Sequence, residues 1–218
     1  MRVDPYEHAP RLPDGPIDPL ALFVPASPLP GALSEPVTPS SARPRVELEI
    51  GPGRGWFIVE RLEVDPRVKL LGLEIRRKWA TIVDQRLARR GHSARARVFA
   101  EDAKQALPRF LPASLDVVYL HFPDPWWKKR HQKRLVMAGD LLTELGRVIV
   151  PGGELFVQTD VAERADEYQA LLDAAPEFAP AGVSPRIEDH AYGARSPRER
   201  KAIEDGLPIF RLLYRRKR

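Results

Sequence analysis

The sequence predicts one α/β domain organised on a doubly wound, mostly parallel sheet. Three observations predict it. From Arg45 onward, short apolar runs alternate with amphipathic stretches, as strand and helix do when they take turns. Glycines and acidic residues follow the apolar runs, where a parallel sheet gathers its ligands at the carboxyl ends of its strands. At 218 residues and 43% apolar content, the chain can bury one sizeable core with little left beyond an arm.

The elements follow in order. Residues 1–44 carry 11 of the 23 prolines and no sustained helical or strand period, so they are expected to form a proline-rich N-terminal arm, with Tyr6, Leu22 and Phe23 able to dock on the core. The domain is then expected over 45–218. Val46 to Ile50 reads as a buried strand and Gly55 to Leu62 as the start of a helix. Val68 to Ile75 is a second strand. Arg77 to Arg90 is a helix with Trp79, Ile82, Val83 and Leu87 on one face, and both Trp56 and Trp79 are expected in the core. A third strand, Ala96 to Ala100, precedes a short helix, and Leu115 to Leu120 is the fourth. A helix from about Lys133 to Val148, a turn at Pro151-Gly152-Gly153, a strand from Glu154 to Thr159, a helix from Ala162 to Ala175 and a late strand from Ile209 to Tyr214 complete the chain.

Composition narrows the class. There is no cysteine, so neither a disulfide framework nor a thiolate metal site is available, which fits a cytoplasmic protein. The histidines at 8, 92, 121, 131 and 190 show no metal-ligand spacing, and no metal is expected. No apolar run reaches the roughly 18 residues of a membrane span, and no membrane partner is expected. The net charge is +5, with cations gathered at 128–134 and 211–218, which points to nucleic acid; the tail from Arg215 to Arg218 reads as solvated. Monomer and homodimer both remain open.

Glu49-Ile50-Gly51-Pro52-Gly53-Arg54-Gly55 places three glycines at alternate positions just past the first strand, where a backbone without Cβ atoms lets a ligand lie flat. A dinucleotide fingerprint wants its third glycine at position 56, which is Trp56, and no Gly-Lys-Ser/Thr ending cradles a phosphate. Glu74 ends the second strand, 23 residues after Gly51, the separation at which a carboxylate accepts from ribose hydroxyls. Asp102 follows the third strand, placed to accept from an adenine amino group. A glycine turn alone is compatible with only a turn, and an acid at a strand end with a helix cap. At three successive strand ends they describe an adenosine ligand without phosphates, for which S-adenosylmethionine is the candidate.

The fourth strand runs out through His121-Phe122 into Pro123-Asp124-Pro125-Trp126-Trp127. Prolines on both sides restrict where Asp124 points. Lys128, Lys129, Arg130, His131, Lys133 and Arg134 follow, a run suited to phosphates, while the tryptophans can stack on a base or pack the loop down.

Leu48-Glu49-Ile50-Gly51, Gly72-Leu73-Glu74, Asp102-Ala103, Phe122-Pro123-Asp124-Pro125-Trp126 with Lys128 and Arg130-His131, and Gln158-Thr159-Asp160 closely resemble the bacterial tRNA (guanine-N7)-methyltransferase family. The resemblance spans about residues 45 to 215, and the Phe-Pro-Asp-Pro-Trp loop with its basic tail is its most specific part. It implies a seven-stranded, Rossmann-like class I methyltransferase sheet, S-adenosylmethionine as methyl donor, tRNA as partner and a guanine of the tRNA variable loop as acceptor. By position it implies Glu49, Glu74, Asp102 and Asp124 in the donor site, with Gly51 and Gly53 in its glycine turn. It also implies Lys128, Asp160 and the segment Ser196 to Glu199 at the substrate, and Arg130 to Leu135 on RNA. One departure stands out: the family's late Thr-x-Tyr/Phe-Glu motif is here Ser196-Pro197-Arg198-Glu199, with Arg198 in the aromatic's place. A guanidinium plane can stack on a base as well.

Two other functions are compatible with parts of the pattern. Amino-group methyltransferases place an Asp/Asn-Pro-Pro-aromatic loop after the same strand, but here the carboxylate is followed by a single proline. An RNA-binding module without catalysis would have no use for Glu49, Gly51, Gly53, Glu74 and Asp102. Asp124 is therefore expected to be the catalytic carboxylate.

Overall fold

A computed structural model describes residues 4–23, 44–123 and 139–218. Five parallel strands form the centre: β1 (Arg45–Ile50), β2 (Val68–Leu73), β3 (Ala96–Phe99), β4 (Leu115–His121) and β5 (Ile149–Thr159). The helices between them are α1 (Trp56–Val64), α2 (Arg77–Arg89), α3 (Ala103–Ala106) and α4 (Gly139–Val148). After α5 (Ala162–Ala174) come β6 (Phe178–Pro180), β7 (Arg186–Ile187), α6 (Pro197–Glu204) and β8 (Phe210–Arg216). The sheet order is β3-β2-β1-β4-β5-β8-β6, with β8 antiparallel to β5 and the two-residue β7 also paired to β8. The expected seven strands lie on this path, and β7 makes an eighth.

The two faces of the sheet carry separate cores. Leu48, Ile50, Leu71, Leu120 and Val157 pack under α4 and α5 on one face. Leu70, Val98, Val117 and Phe156 pack under Phe57 and Ile58 of α1 and Val83 and Leu87 of α2 on the other. Buried parallel strands read as apolar-rich runs, such as residues 117–120 in β4, although β1 interleaves Val46, Leu48 and Ile50 with the buried Glu47 and Glu49.

Three features differ from the expectation. The turn at Pro151-Gly152-Gly153 lies inside β5, where Gly152 takes φ +80° and the β4–β5 register shifts between Leu115 and Val117. It is a bulge within a longer strand. Trp56 is not core: it opens α1 and stays 40% exposed, with the Arg86 guanidinium 4.7 Å from its ring centroid. Trp79 is only partly buried, with Arg54 above its ring at 5.3 Å. Finally, β6, β7 and α6 had no counterpart in the sequence reading. Of these, α6 carried a signal. Ser196 accepts from the Glu199 N–H and Pro197 occupies the first helical position, the start expected of Ser-Pro-x-Glu.

Of the proline-rich segment, residues 4–23 lie against the domain. Ile17 forms a parallel bridge to Phe110, and Ala100 N–H donates to the Pro10 carbonyl at 2.7 Å. Ile17 and Phe23 are buried, and Leu22 packs on the same core. Glu101, beside the expected adenine-binding acid, is held by Arg11 Nε at 2.8 Å and Leu12 N–H at 3.1 Å.

Candidate active site

The carboxyl ends of β1, β2 and β3 open on a cavity of about 470 Å³ whose lining includes Gly51, Leu73, Glu74, Asp102 and Ala103. The three strand ends singled out in the sequence therefore converge on one space. In the glycine turn, Gly51, Gly53 and Gly55 all take positive φ, and a Cβ on Gly55 would lie 2.2 Å from Val83 Cγ1, so the third glycine lets α1 start against α2. Glu74 is 3% exposed and tied to that turn: its Oε2 accepts from Gly53 N–H at 3.0 Å, and its Oε1 accepts from the backbone N–H and Nε of Arg76, both at 3.0 Å. Each carboxylate oxygen has more than one acceptor direction, so Oε2 can still receive a ligand hydroxyl. Asp102 caps α3 by accepting from Lys104 N–H at 2.9 Å while lining the cavity.

On the face of β1 opposite Ile50, which lines the cavity, two buried acids have opposite circumstances. Glu47 is fully satisfied, accepting from Arg45, Arg61 and Tyr119. Glu49 is 3% exposed; its Oε1 is 2.8 Å from His121 Nδ1, and its Oε2 is buried with no hydrogen-bond partner among the described residues. A buried carboxylate oxygen left open is costly unless a ligand or water fills the gap. That orphan, the glycine turn and the paired strand-end acids fit a cationic adenosine donor.

His121 in turn faces His190, Nε2 to Nε2 at 3.2 Å. Burial, followed by the proximity of His121, Arg211 and Arg195, pushes the His190 pKa down to about 3 from 6.5, against a weaker upward pull from Asp189. The unfolded chain therefore binds a proton below pH 6.5 that the folded chain refuses. His190 contributes its full stabilisation above about pH 6.5 and loses it as pH falls toward 3. Urea denaturation across pH 4 to 7 is expected to show an acid-side loss of stability that becomes shallower in His190→Gln; an unchanged slope would contradict the burial of a neutral imidazole here.

Just past the end of β5, Asp160 meets Arg198 of α6. Arg198 Nη2 donates to Asp160 Oδ1 at 2.9 Å and Oδ2 at 2.8 Å, and its guanidinium carbon lies 4.8 Å from the Phe122 ring centroid. The residue standing where an aromatic was expected thus lies over an aromatic ring as a cation and is charge-paired. Asp160 does not cap α5, whose N-cap is Val161. Phe122 itself is buried at φ +49°, an uncommon conformation for a bulky residue, immediately before Pro123. Ser196 serves as the α6 cap, and Glu199 is fully buried, its Oε1 accepting from Arg211 Nη2 at 2.7 Å. Asp124, Lys128, Arg130, His131, Lys133 and Arg134 lie outside the described residues. The sequence reading gave no site role to His190, which had no motif around it, or to Arg211, which lies in the family-like stretch 206–212.

Arg198→Ala is expected to raise the tRNA concentration for half-maximal rate roughly five- to a hundredfold, the range of one stacked base, with donor affinity unchanged. Steady-state kinetics with each substrate varied in turn checks this, and a parallel loss of donor affinity would remove Arg198 from the acceptor side.

Comparison with known proteins places this geometry. Residues 43–212 match the Methyltransf_4 family, described as "Putative methyltransferase". A tRNA (guanine-N(7)-)-methyltransferase of Microcystis aeruginosa is 35% identical over 173 residues, covering 78% of this chain and 82% of that protein. One of Trichormus variabilis is 32% identical over 205 residues, covering 92% and 94%. Among solved structures, a SAM-dependent methyltransferase from Aquifex aeolicus shares the fold with a TM-score of 0.55 at 14% identity, covering 78% of this chain and 81% of that one. The chain is a methyltransferase with the class I fold and belongs to the tRNA (guanine-N7)-methyltransferase family.

Proposed function

We propose that the protein transfers a methyl group from S-adenosylmethionine to N7 of a guanine in the tRNA variable loop. The observation that carries this is the single cavity at the ends of β1, β2 and β3, where Gly51, Glu74 and Asp102 meet in a chain of this family. Bound there, S-adenosylmethionine supplies an electrophilic methyl group on a sulfonium. Glu74 accepts from the ribose hydroxyls, Asp102 from the adenine amino group, and the open oxygen of Glu49 suits the donor's ammonium.

Guanine N7 bears no proton and has an in-plane lone pair, so the chain needs no base to unmask the nucleophile. It needs alignment and a response to the positive charge that develops on the base. Asp124 is assigned that response. Asp160 or Glu199 accepts from guanine N1–H and N2–H2, the paired donors that only guanine offers on that edge, which requires the base to leave its tertiary pairing. Lys128, Arg130, His131, Lys133 and Arg134 take the RNA backbone.

The test is transfer of labelled methyl from S-adenosylmethionine to unmodified tRNA, DNA and protein in parallel. Label in tRNA alone is expected. Label in DNA or protein instead would favour the amino-group alternative, and no label with intact tRNA binding would favour a binding module.

A further inference from the structure

We propose that His121, locked in one tautomer by His190, is the positioning residue that holds the Glu49 carboxylate for the ammonium group of the methyl donor. The proposal rests on the donor assignment above. The hydrogen-bond pattern fixes every proton along the chain. Tyr192 N–H donates to His190 Nδ1 at 3.3 Å, so that nitrogen carries no proton. A neutral His190 then carries its proton on Nε2, which faces His121 Nε2 at 3.2 Å. Two facing nitrogens can share only one proton, so His121 Nε2 accepts and its own proton stands on Nδ1. That N–H points at Glu49 Oε1, 2.8 Å away. Backbone geometry at Tyr192 thus dictates, through two imidazoles, that the group facing Glu49 is a donor.

The surroundings keep this arrangement dry and fixed. The His121 and Glu49 side chains are each 4% exposed. Phe57 meets the His121 ring edge-on at 4.3 Å between centroids, Tyr119 stacks on it at 5.6 Å, and Phe156 lies 4.5 Å from His190. The charged groups around the pair are Glu49 on one side and Asp189, Arg195 and Arg211 around His190. Packing of this kind removes the rotational freedom of both rings.

The consequence falls on Glu49. Engagement of Oε1 by His121 fixes the carboxylate's orientation and leaves its Oε2 buried without a partner among the described residues, on the strand whose next two residues, Ile50 and Gly51, line the cavity. An oriented carboxylate oxygen with an open acceptor position is complementary to an ammonium group, and holding it before the ligand arrives spares the ordering cost at binding. The sequence shows neither histidine as a partner of Glu49. They stand 72 and 141 residues away and meet only through the β1–β4 pairing and the loop before α6.

Calorimetry on the full chain tests this with two ligands that differ at the group in question. S-adenosylhomocysteine carries the ammonium-bearing tail, and 5′-methylthioadenosine lacks it. In His121→Phe, affinity for S-adenosylhomocysteine is expected to fall about tenfold or more, as for a lost hydrogen bond to a charged group, while affinity for methylthioadenosine stays within about twofold. His121→Asn, whose side-chain N–H can reach the position of Nδ1–H, is expected to recover most of the loss. Equal weakening of both ligands, no weakening, or an asparagine variant as impaired as the phenylalanine one would each overturn the proposal. Nitrogen-15 spectra of the unmutated protein give an independent readout that needs no variant: His121 is expected as the Nδ1–H tautomer and His190 as Nε2–H, and the reverse assignment overturns it. An unmutated chain that binds neither ligand overturns the donor assignment itself, and this proposal with it.

Discussion

Glu47→Ala is expected to lower the unfolding free energy by about 3–5 kcal/mol, the range for breaking a buried ion pair from one side. Glu47 is fully buried and accepts from Arg45 Nε at 2.8 Å, Arg61 Nε at 2.9 Å, Arg61 Nη2 at 2.7 Å and Tyr119 Oη at 2.7 Å. Burial would pull the Arg61 pKa down, but the hydrogen bond and charge of Glu47 more than offset it, so the guanidinium stays charged. Removing the carboxylate strands that charge, with the Arg61 side chain only 5% exposed, and leaves the Tyr119 hydroxyl without its acceptor. Urea denaturation measures the change. A midpoint within experimental error of the parent would mean that water reaches Arg61 and that the cluster is not the buried pair described here. Glu49, two residues on, has one oxygen satisfied and one open, and its replacement is expected to register chiefly in donor binding. Equal residue type on the same strand face thus differs in acceptor positions: both oxygens of Glu47 are occupied, and one of Glu49 is open among the described residues.

Asp124→Ala is expected to reduce turnover by about a hundred- to a thousandfold or more, the range for removing one preorganised electrostatic group, while tRNA affinity stays within a few-fold of the parent. Single-turnover methyl transfer and a binding titration, run on the same preparation, separate the two. Substantial remaining turnover would remove Asp124 from the catalytic role. Its neighbours are expected to behave in the opposite way: Lys128→Ala and Arg130→Ala should weaken tRNA binding and flatten its dependence on salt, because each phosphate contact contributes to that slope. A loss that does not vary with salt would instead assign them to the packing of the loop.

How much was legible follows from which interactions are local. The five parallel strands and the helices between them announce themselves because burial on both faces favours apolar-rich runs, interrupted in β1 by the buried Glu47 and Glu49, and the helices need one apolar stripe. The convergence of Gly51, Glu74 and Asp102 was legible too, since strand order alone brings successive carboxyl ends to one edge. By contrast, β6 and β7 are three and two residues long and exist only because β8 offers them an edge, which no window of sequence reveals. The Trp56 expectation failed because an indole at the first position of α1 faces outward, where Arg86 of α2 and Arg90 just past its end lie over the ring. The partners of Glu49, Glu199 and Asp160 were illegible for the same reason as one another. His121, Arg211 and Arg198 reach them through tertiary contact across 72, 12 and 38 residues.

Arg198 shows what a departure from a family pattern can mean physically. An aromatic there would offer a planar face; the guanidinium is planar as well, paired with Asp160 and 4.8 Å from the Phe122 ring centroid. The planar character of the position is retained while its charge changes, and the charge is neutralised locally by a neighbouring acid.

The most direct measurement is nucleoside analysis of an unmodified tRNA after incubation with the protein and S-adenosylmethionine. The expected result is 7-methylguanosine arising from a variable-loop guanine and absent when that guanine is replaced by adenine. Methylation of an exocyclic amino group, or 7-methylguanosine that persists after the replacement, would contradict it.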